Sequence, residues 1–234
     1  VKTLPTFCGG KARWTKHLSQ FKGKKMVEPF AGSAAISFAL ASEALWNELD
    51  PALVLILSRF DEQIVPDVFT QADYYTVRAQ PDWWKHAFCL QKMSFGGLFR
   101  HSKGKFNVPP DKRINEVHLR PQYEEALARW KELKPHVTQG DWANVPPAEY
   151  ADAVVILDPP FKNSHTPYNN VENYRVYWQA VDKIVDIAET VIAFEYEDVL
   201  ERFYPDHELV TRVSRFSGKH PARTEAMVVL TNDR

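Results

Sequence analysis

Hydrophobic and polar positions divide the chain into two stretches where strands and helices alternate and a middle stretch where they do not. Trp14, Leu18 and Phe21, spaced four and then three apart, mark one face of an early helix. Lys25 to Phe30 reads as a strand, Ala31 to Ala35 as a turn of small residues, and Ile36 to Leu40 as the helix it leads into. Ala44 to Glu48 is a second short strand. From about residue 60 the alternation stops: Asp73-Tyr74-Tyr75, Trp83-Trp84 and Phe88 to Met93 fall in helices, and Ser94 to Pro110 is rich in glycine and cations around a turn at Ser102-Lys103-Gly104-Lys105. An amphipathic helix from Tyr123 to Leu133 returns the chain to the sheet, and Val137 to Trp142 is a strand containing Gly140-Asp141. Ala153 to Leu157 is apolar throughout, the signature of a strand buried on both faces. A helix from Tyr177 to Ile187, a strand from Val191 to Tyr196, and a hairpin of Glu208 to Phe216 with Glu225 to Thr231 close the chain. The order predicts an α/β fold of Rossmann type, mostly parallel with a closing antiparallel hairpin. Residues 1–60 and 134–234 form its main domain, and 61–133 is an insertion expected where the strand order reverses.

The chemistry gathers at the ends of those strands. Pro159 and Pro160 lack N–H groups and stop the apolar strand, leaving Asp158 at its carboxyl end, where open α/β sheets bind ligands. A carboxylate, the carbonyls of two prolines and the face of Phe161 suit an amino group on a flat ring: the acceptors take its hydrogens and the aromatic stacks on the ring. Asp-Pro-Pro-Phe alone serves equally well as an ordinary turn with Phe161 in the core, so its meaning depends on the rest of the chain.

Glu28 sits near the end of the first strand, and the turn after it carries only Gly32, so the three-glycine dinucleotide fingerprint is not met. Glu48 ends the second strand, where an acidic residue commonly binds ribose hydroxyls; Asp50 is the alternative. Gly9 and Gly10 let backbone N–H groups approach a ligand and Lys11 adds a cation, although a Gly-Gly turn before a helix is as readily structural. Asp141 is a further carboxylate at that edge of the sheet.

Composition changes this picture in two ways. With 234 residues, 44% hydrophobic and 13% aromatic, the chain can bury a full core. No apolar run reaches transmembrane length and no signal-peptide pattern opens the chain, so a cytoplasmic protein without membrane contact is expected. Cys8 and Cys89 are too few and too far apart for a metal site or disulfide framework and are expected as small buried hydrophobes, with no metal. The formal net charge of -1 hides an uneven spread. Between 94 and 120, Arg100, Lys103, Lys105, Lys112, Arg113 and Arg120 stand against only Asp111 and Glu116, whereas carboxylates dominate from 182 to 208. One basic face is what an electrostatic footprint for phosphate requires, and two solvated faces are the bland equivalent.

Several ordered motifs then point the same way. Phe-Cys-Gly-Gly-Lys at residues 7–11, Val-Glu-Pro-Phe-Ala-Gly-Ser-Ala at 27–34, Gly-Lys-Phe-Asn-Val-Pro at 104–109, Gly-Asp at 140–141, Asp-Pro-Pro-Phe at 158–161 and Arg-Thr-Glu at 223–225 resemble the Dam-like family of adenine-specific DNA methyltransferases over nearly the whole chain. The resemblance implies the Rossmann-like methyltransferase fold, S-adenosylmethionine as cofactor, and methyl transfer to N6 of an adenine flipped out of double-stranded DNA. By resemblance, Phe7, Gly9, Gly10 and Lys11 belong to the cofactor site. Glu28, Pro29, Phe30, Ala31, Gly32 and Ser33 surround the methionine end, Glu48 with Leu49 holds the ribose, and Asp141 with Trp142 meets the cofactor's adenine. Asp158, Pro159, Pro160 and Phe161 would hold the target base. Arg100, Lys103, Lys105, Asn107 and Lys112 on the insertion, with Arg215, Lys219 and Arg223 on the closing hairpin, are expected to flank a DNA cleft. The family most often has tyrosine where Phe161 stands, and its insertion is longer.

The same fold and cofactor also serve cytosine N4, an RNA adenine or a protein glutamine. A catalytically inactive DNA-binding relative is the reading from a different class, and intact Glu28 and Asp158 weigh against it. A monomer or weak dimer is expected, with a role in restriction-modification, viral self-protection or regulation.

Overall fold

The computed structural model describes residues 10–161, 171–214 and 223–232. A short 3-10 helix, Lys11–His17, precedes strand β1 (Lys25–Glu28), helix α1 (Ala35–Leu40), β2 (Glu43–Glu48) and α2 (Pro51–Ser58). The insertion holds β3 (Phe69–Thr70), α3 (Gln71–Val77), α4 (Ala87–Met93), the hairpin β4 (His101–Ser102) with β5 (Lys105–Phe106), β6 (Glu116–Val117) and α5 (Arg120–Leu133). Then follow β7 (His136–Gln139), α6 (Pro147–Tyr150), β8 (Val154–Leu157), α7 (Val171–Val185), β9 (Thr190–Tyr196), α8 (Glu197–Phe203), β10 (Leu209–Ser214) and β11 (Arg223–Thr231).

Seven strands form the main sheet in the order β10-β11-β9-β8-β1-β2-β7. From β7 to β9 every pairing is parallel, and β11 enters antiparallel between β9 and β10. The chain steps outward from β1 to β2 to β7 and then returns to β8 on the other flank of β1. This is a Rossmann-like α/β architecture with a closing antiparallel hairpin, and its reversal of strand order falls between β1 and β8. The insertion lies between β2 and β7, one strand before the reversal, which corrects the expected position.

Strand alternation distributes the core over both faces. Met26, Trp46, Val154, Ile156, Ile192 and Phe194 point to one face, where Ile36 and Phe38 of α1, Ile56 and Leu57 of α2, and Ala126 of α5 cover them. Val27, Leu45, Val155, Leu157, Val191 and Ala193 point to the other, under Trp178, Val181 and Ile184 of α7 and Leu200 of α8. Burial from both sides explains why β8 and the Val191 to Phe194 part of β9 read as continuous apolar runs.

The insertion shares the first of these cores, since Phe88, Phe106 and Tyr123 belong to the same cluster as Phe60 of the main domain. Polar side chains satisfy carbonyls at the joins: Tyr123 Oη donates to Phe60 O at 3.1 Å, Trp130 Nε1 to Leu57 O at 2.9 Å, and Tyr74 Oη to Val108 O at 3.0 Å. Arg129 of α5 donates to the carbonyls of Phe38 and Ala41 at the end of α1, satisfying groups a helix terminus leaves open. The β4–β5 hairpin closes through Lys103 and Gly104, both at positive φ (51° and 72°), as a tight two-residue turn needs.

Several boundaries differ from the sequence expectation. Helix α7 starts at Val171, before the polar run read as loop ends, and β7 stops at Gln139, so Asp141 follows the strand. The first helix is a pair of 3-10 turns, Lys11–His17 and Ser19–Phe21. Cys89 is buried as expected, and Cys8 lies outside the described residues.

Candidate functional site

The carboxyl ends of β1 and β8, neighbours across the switch point, carry Glu28 and Asp158. Glu28 is 4% exposed. Its Oε1 accepts from the Ser37 N–H at 2.9 Å and the Ser37 hydroxyl at 2.5 Å, and the Trp46 indole N–H donates to that same hydroxyl oxygen at 2.7 Å. Burial pushes the Glu28 carboxyl up to about 7, against the pull of the Ser37 donors, and the Asp158 charge adds to the rise.

Asp158 stands just beyond β8 with a quarter of its side chain exposed. Its Oδ1 lies 2.8 Å from Lys11 Nζ, and the same ammonium sits 4.7 Å from the centre of the Phe161 ring and 5.5 Å from that of Phe194. Burial raises the Asp158 carboxyl above the ordinary range, with Lys11 opposing the shift. Phe161 meets Tyr196 edge to face at 5.0 Å, and the Arg223 guanidinium lies 4.7 Å over the Tyr196 ring. A nitrogen carrying hydrogens thus already fits between the carboxylate and the aromatic face.

Beside this pair the β1–α1 turn forms a second compartment. Gly32 has φ +50°, and a Cβ there would meet nothing within 4 Å, so its backbone borders open space. Its N–H donates to Glu48 Oε2 at 2.9 Å, while Leu49 and Asp50 N–H groups donate to Glu48 Oε1 at 2.8 and 3.0 Å. Burial nevertheless raises the Glu48 carboxyl. Asn47 braces the floor: its Nδ2 donates to Pro29 O at 3.1 Å and Gly140 O at 3.0 Å, and Thr138 donates to its Oδ1 at 3.0 Å. Phe30, Trp142 and Tyr177 form an aromatic wall with centroids 5.2 to 5.7 Å apart.

Most of the cofactor-site residues named from sequence therefore converge. Lys11, Glu28, Pro29, Phe30, Gly32, Glu48 and Trp142 line or brace the two compartments, with Ala31 and Ser33 buried in the same turn. Leu49 is 45% exposed and contributes its backbone to Glu48. Asp141 is exposed and its Oδ1 accepts from Ala143 N–H, capping the turn that presents Trp142. Gly10 is exposed at the start of the Lys11–His17 turn, and Phe7 and Gly9 lie outside the described residues. Sequence reading missed Ser37, Trp46, Asn47 and Tyr196, because a serine or asparagine among apolar neighbours has no motif; only their burial reveals the bonds.

Arg100, Lys103, Lys105 and Lys112 are exposed on the insertion, and Arg223 is exposed at the start of β11. Arg100 Nε donates to Asn107 Oδ1 at 2.8 Å, which holds the two flanks of the hairpin together. His101, unsuspected from sequence, places Nε2 at 2.8 and 3.0 Å from the Asp50 carboxylate, two residues beyond Glu48. The hairpin is thereby tied to the carboxyl edge on the β2 side, while Arg223 marks the β9 side. Arg215 and Lys219 lie outside the described residues. Among the described residues no group of His, Cys, Asp and Glu is arranged to hold a metal, and no helix is long and apolar enough to cross a membrane.

No protein-family model matches the chain, and no curated protein matches it. Solved structures similar to it include a dimethyladenosine transferase from Plasmodium falciparum, at 9% identity and a TM-score of 0.45, covering 97% of this chain and 62% of that one. The 23S rRNA methyltransferase ErmE gives 10% identity and a TM-score of 0.45 over 98% of this chain and 70% of that one. TrmN from Thermus thermophilus gives 13% identity and a TM-score of 0.42 over 94% and 47%.

Proposed function

We propose that the protein is an S-adenosylmethionine-dependent methyltransferase that modifies the exocyclic N6 amine of adenine in double-stranded DNA, with the base turned out of the helix. The observation that carries this reading is the Lys11 ammonium, held 2.8 Å from Asp158 Oδ1 and 4.7 Å over Phe161. A hydrogen-bearing nitrogen between a carboxylate and an aromatic face has the placement that a ring amine would need, and a substrate amine would displace Lys11 from it.

The residues present fit the cofactor. The open space at Gly32, the Glu28 carboxylate and the lone pairs of Glu48 left over by three backbone donors suit an amino acid ammonium and ribose hydroxyls. The aromatic wall of Phe30, Trp142 and Tyr177 offers faces for a flat ring. When bound, the cofactor supplies an electrophilic sulfonium methyl.

The protein's own contribution is placement and charge. An aromatic amine delocalises its lone pair into the ring and is a poor nucleophile. Asp158 and the Pro159 carbonyl would accept its two hydrogens, turning the lone pair out of the ring plane, while Phe161 holds the base flat. The nitrogen would become cationic on taking the methyl, the sulfonium's bond to that carbon breaking to leave a neutral thioether, and would then shed a proton, for which Asp158 is a fitting acceptor because burial has raised its affinity for one. No covalent enzyme intermediate is needed, in keeping with Cys89, whose thiol burial pushes up to about 12. A base inside a duplex cannot reach this site without leaving the stack. The exposed cations of the hairpin and Arg223 are suited to the backbone on either side.

The test is incubation of the protein with methyl-labelled cofactor and, separately, duplex DNA and RNA, followed by nucleoside analysis. Label in N6-methyladenine from duplex DNA is the expected result. Label in N4-methylcytosine or in RNA adenine would keep the chemistry and replace the substrate; no transfer to either would leave the inactive binding relative or a protein amide substrate.

A further inference from the structure

The hydrogen bonds of Glu28 go beyond what the motif at residues 27–34 announces. Ser37 lies outside that motif, nine residues after Glu28 and fully buried in α1, and Trp46, also fully buried, comes from the adjacent strand. An indole nitrogen only donates, and a serine hydroxyl has a single hydrogen to give. With Trp46 Nε1–H donating to Ser37 Oγ at 2.7 Å, the Ser37 hydrogen is directed at an acceptor, and Glu28 Oε1 at 2.5 Å is far better placed than Ala34 O at 3.5 Å. The Ser37 backbone N–H adds a second donor to the same oxygen at 2.9 Å. Oε1 is thus committed as an acceptor, and no hydrogen bond to Oε2 is present among the described residues.

We infer that Trp46 and Ser37 form a positioning relay that fixes Glu28 Oε1 and reserves Oε2 for the cationic ammonium of the cofactor. The inference rests on the proposed cofactor site, but the relay also acts on the protein without ligand. A proton on Glu28 has only Oε2 to occupy, so proton and ammonium compete for one atom. Asp158, from the neighbouring strand and itself paired with Lys11, is the charged group whose field reaches Glu28. The relay works against that field and against burial. It keeps a carboxylate available near neutral pH in a place where burial alone would hold it protonated.

The test follows the Glu28 carboxyl carbon by NMR against pH in the cofactor-free protein, for the native chain, Ser37→Ala, Ser37→Thr and Trp46→Phe. Calorimetric titration with S-adenosylmethionine between pH 6 and 9 is run on the same four proteins. Ser37→Ala should raise the Glu28 midpoint by about one unit, the size of one hydrogen bond to a charged group. It should also weaken cofactor binding about fivefold at pH 7, where the carboxylate fraction falls from about one half to about one tenth, and hardly at all at pH 9. Trp46→Phe should move both in the same direction by less, and Ser37→Thr, which restores a hydroxyl, should return the midpoint. An unchanged midpoint in Ser37→Ala and Trp46→Phe would overturn the relay, as would an affinity loss in Ser37→Ala that is equal at every pH. Absence of cofactor binding by the native chain would remove the ammonium from the inference and the cofactor from the proposed function, and the midpoints would still decide whether the relay exists.

Discussion

The switch point and the inserted hairpin meet the same edge of the sheet but are built differently. At the switch point every strand is buried on both faces, and Glu28, Asn47 and Glu48 are held by several hydrogen bonds each. The β4 and β5 strands are two residues long, their cations stand exposed, and a His101–Asp50 hydrogen bond joins them to the edge. Chemistry that depends on an amine held at hydrogen-bond distance needs the first kind of structure, because small displacements cost rate steeply. Binding to a phosphate backbone needs charge within reach and tolerates movement. The two regions should therefore respond to mutation in different observables, rate and proton affinity at one, salt dependence at the other.

The largest expected effect is at Asp158. Asp158→Ala should lower methyl transfer by about 10²-fold to 10³-fold or more, the scale of removing a preorganised polar group from a reaction centre. Calorimetry on the same sample should find cofactor binding retained, because Glu28 and Glu48 do not depend on Asp158 for their hydrogen bonds. Loss of binding in step with rate would merge the two compartments into one. It would also weaken the claim that the amine site is separate.

Glu28 offers a smaller effect with a pH signature. Its carboxyl lies near 7 in the folded protein against an ordinary value of 4.5, so the folded state binds a proton more tightly than the unfolded chain does. That stabilises the cofactor-free protein fully below pH 4.5, and the contribution is lost as pH rises through about 7. Thermal melts should fall between about pH 5 and pH 8 in the native chain and fall less in Glu28→Gln. Cofactor affinity, which needs the carboxylate, should rise over the same window. Glu28→Gln should bind about tenfold or more weakly at about pH 8, the cost of a charged hydrogen bond. A native chain whose melting is flat across that window would contradict the raised carboxyl.

The contrast between the regions also decides how much the sequence reveals. Apolar runs at 153–157 and 191–194 became β8 and most of β9 because burial from both sides favours apolar residues, and the motifs at Glu28, Glu48 and Asp158 sit at the carboxyl ends of β1, β2 and β8, with Gly32 in the turn after β1. The small β3–β6 and β4–β5 ladders are set by turns and by side chains such as Arg100–Asn107 and Thr70–Asp73, which have no period to detect. Ser37 was illegible for another reason. Its role depends on Trp46, close only because β1 and β2 pair in register with Glu28 opposite Trp46. The start of α7 was hidden by asparagines and a glutamate at 169–173 that read as loop, whereas its apolar stripe of Tyr177, Trp178, Val181 and Ile184 was visible.

At the hairpin the expected changes are graded. Replacing Lys103 and Lys105 by glutamine should weaken binding to duplex DNA of any sequence and lower the salt slope by about one unit for each phosphate no longer neutralised, while cofactor affinity without DNA stays unchanged. Filter binding or fluorescence anisotropy across a range of salt concentrations reads this directly. An unaltered slope would remove these two lysines from the proposed footprint and shift it toward Arg223.

The smallest effect should come from His101, and it bears most directly on whether the two regions act separately. Its Nε2 must carry the hydrogen it gives to Asp50, because a carboxylate can only accept, and the ring is held by Trp83 at 5.6 Å and Phe99 at 6.1 Å. Asp50 also accepts from Ala52 N–H and donates its own N–H to Glu48 Oε1, so the path leads from the hairpin to the Glu48 carboxylate in two steps. His101→Phe keeps the aromatic packing and removes the hydrogen bond, a change of about 1 kcal/mol, or roughly fivefold in an equilibrium constant. Cofactor affinity measured with and without saturating duplex DNA should differ in the native chain. That difference should shrink in His101→Phe, since a coupling between two sites is the same read from either end. If the variant binds each ligand as the native chain does and keeps the full difference, the hairpin communicates with the site by another route. If the native chain shows no difference at all, the two regions are independent, and His101 serves only to hold the hairpin to the sheet.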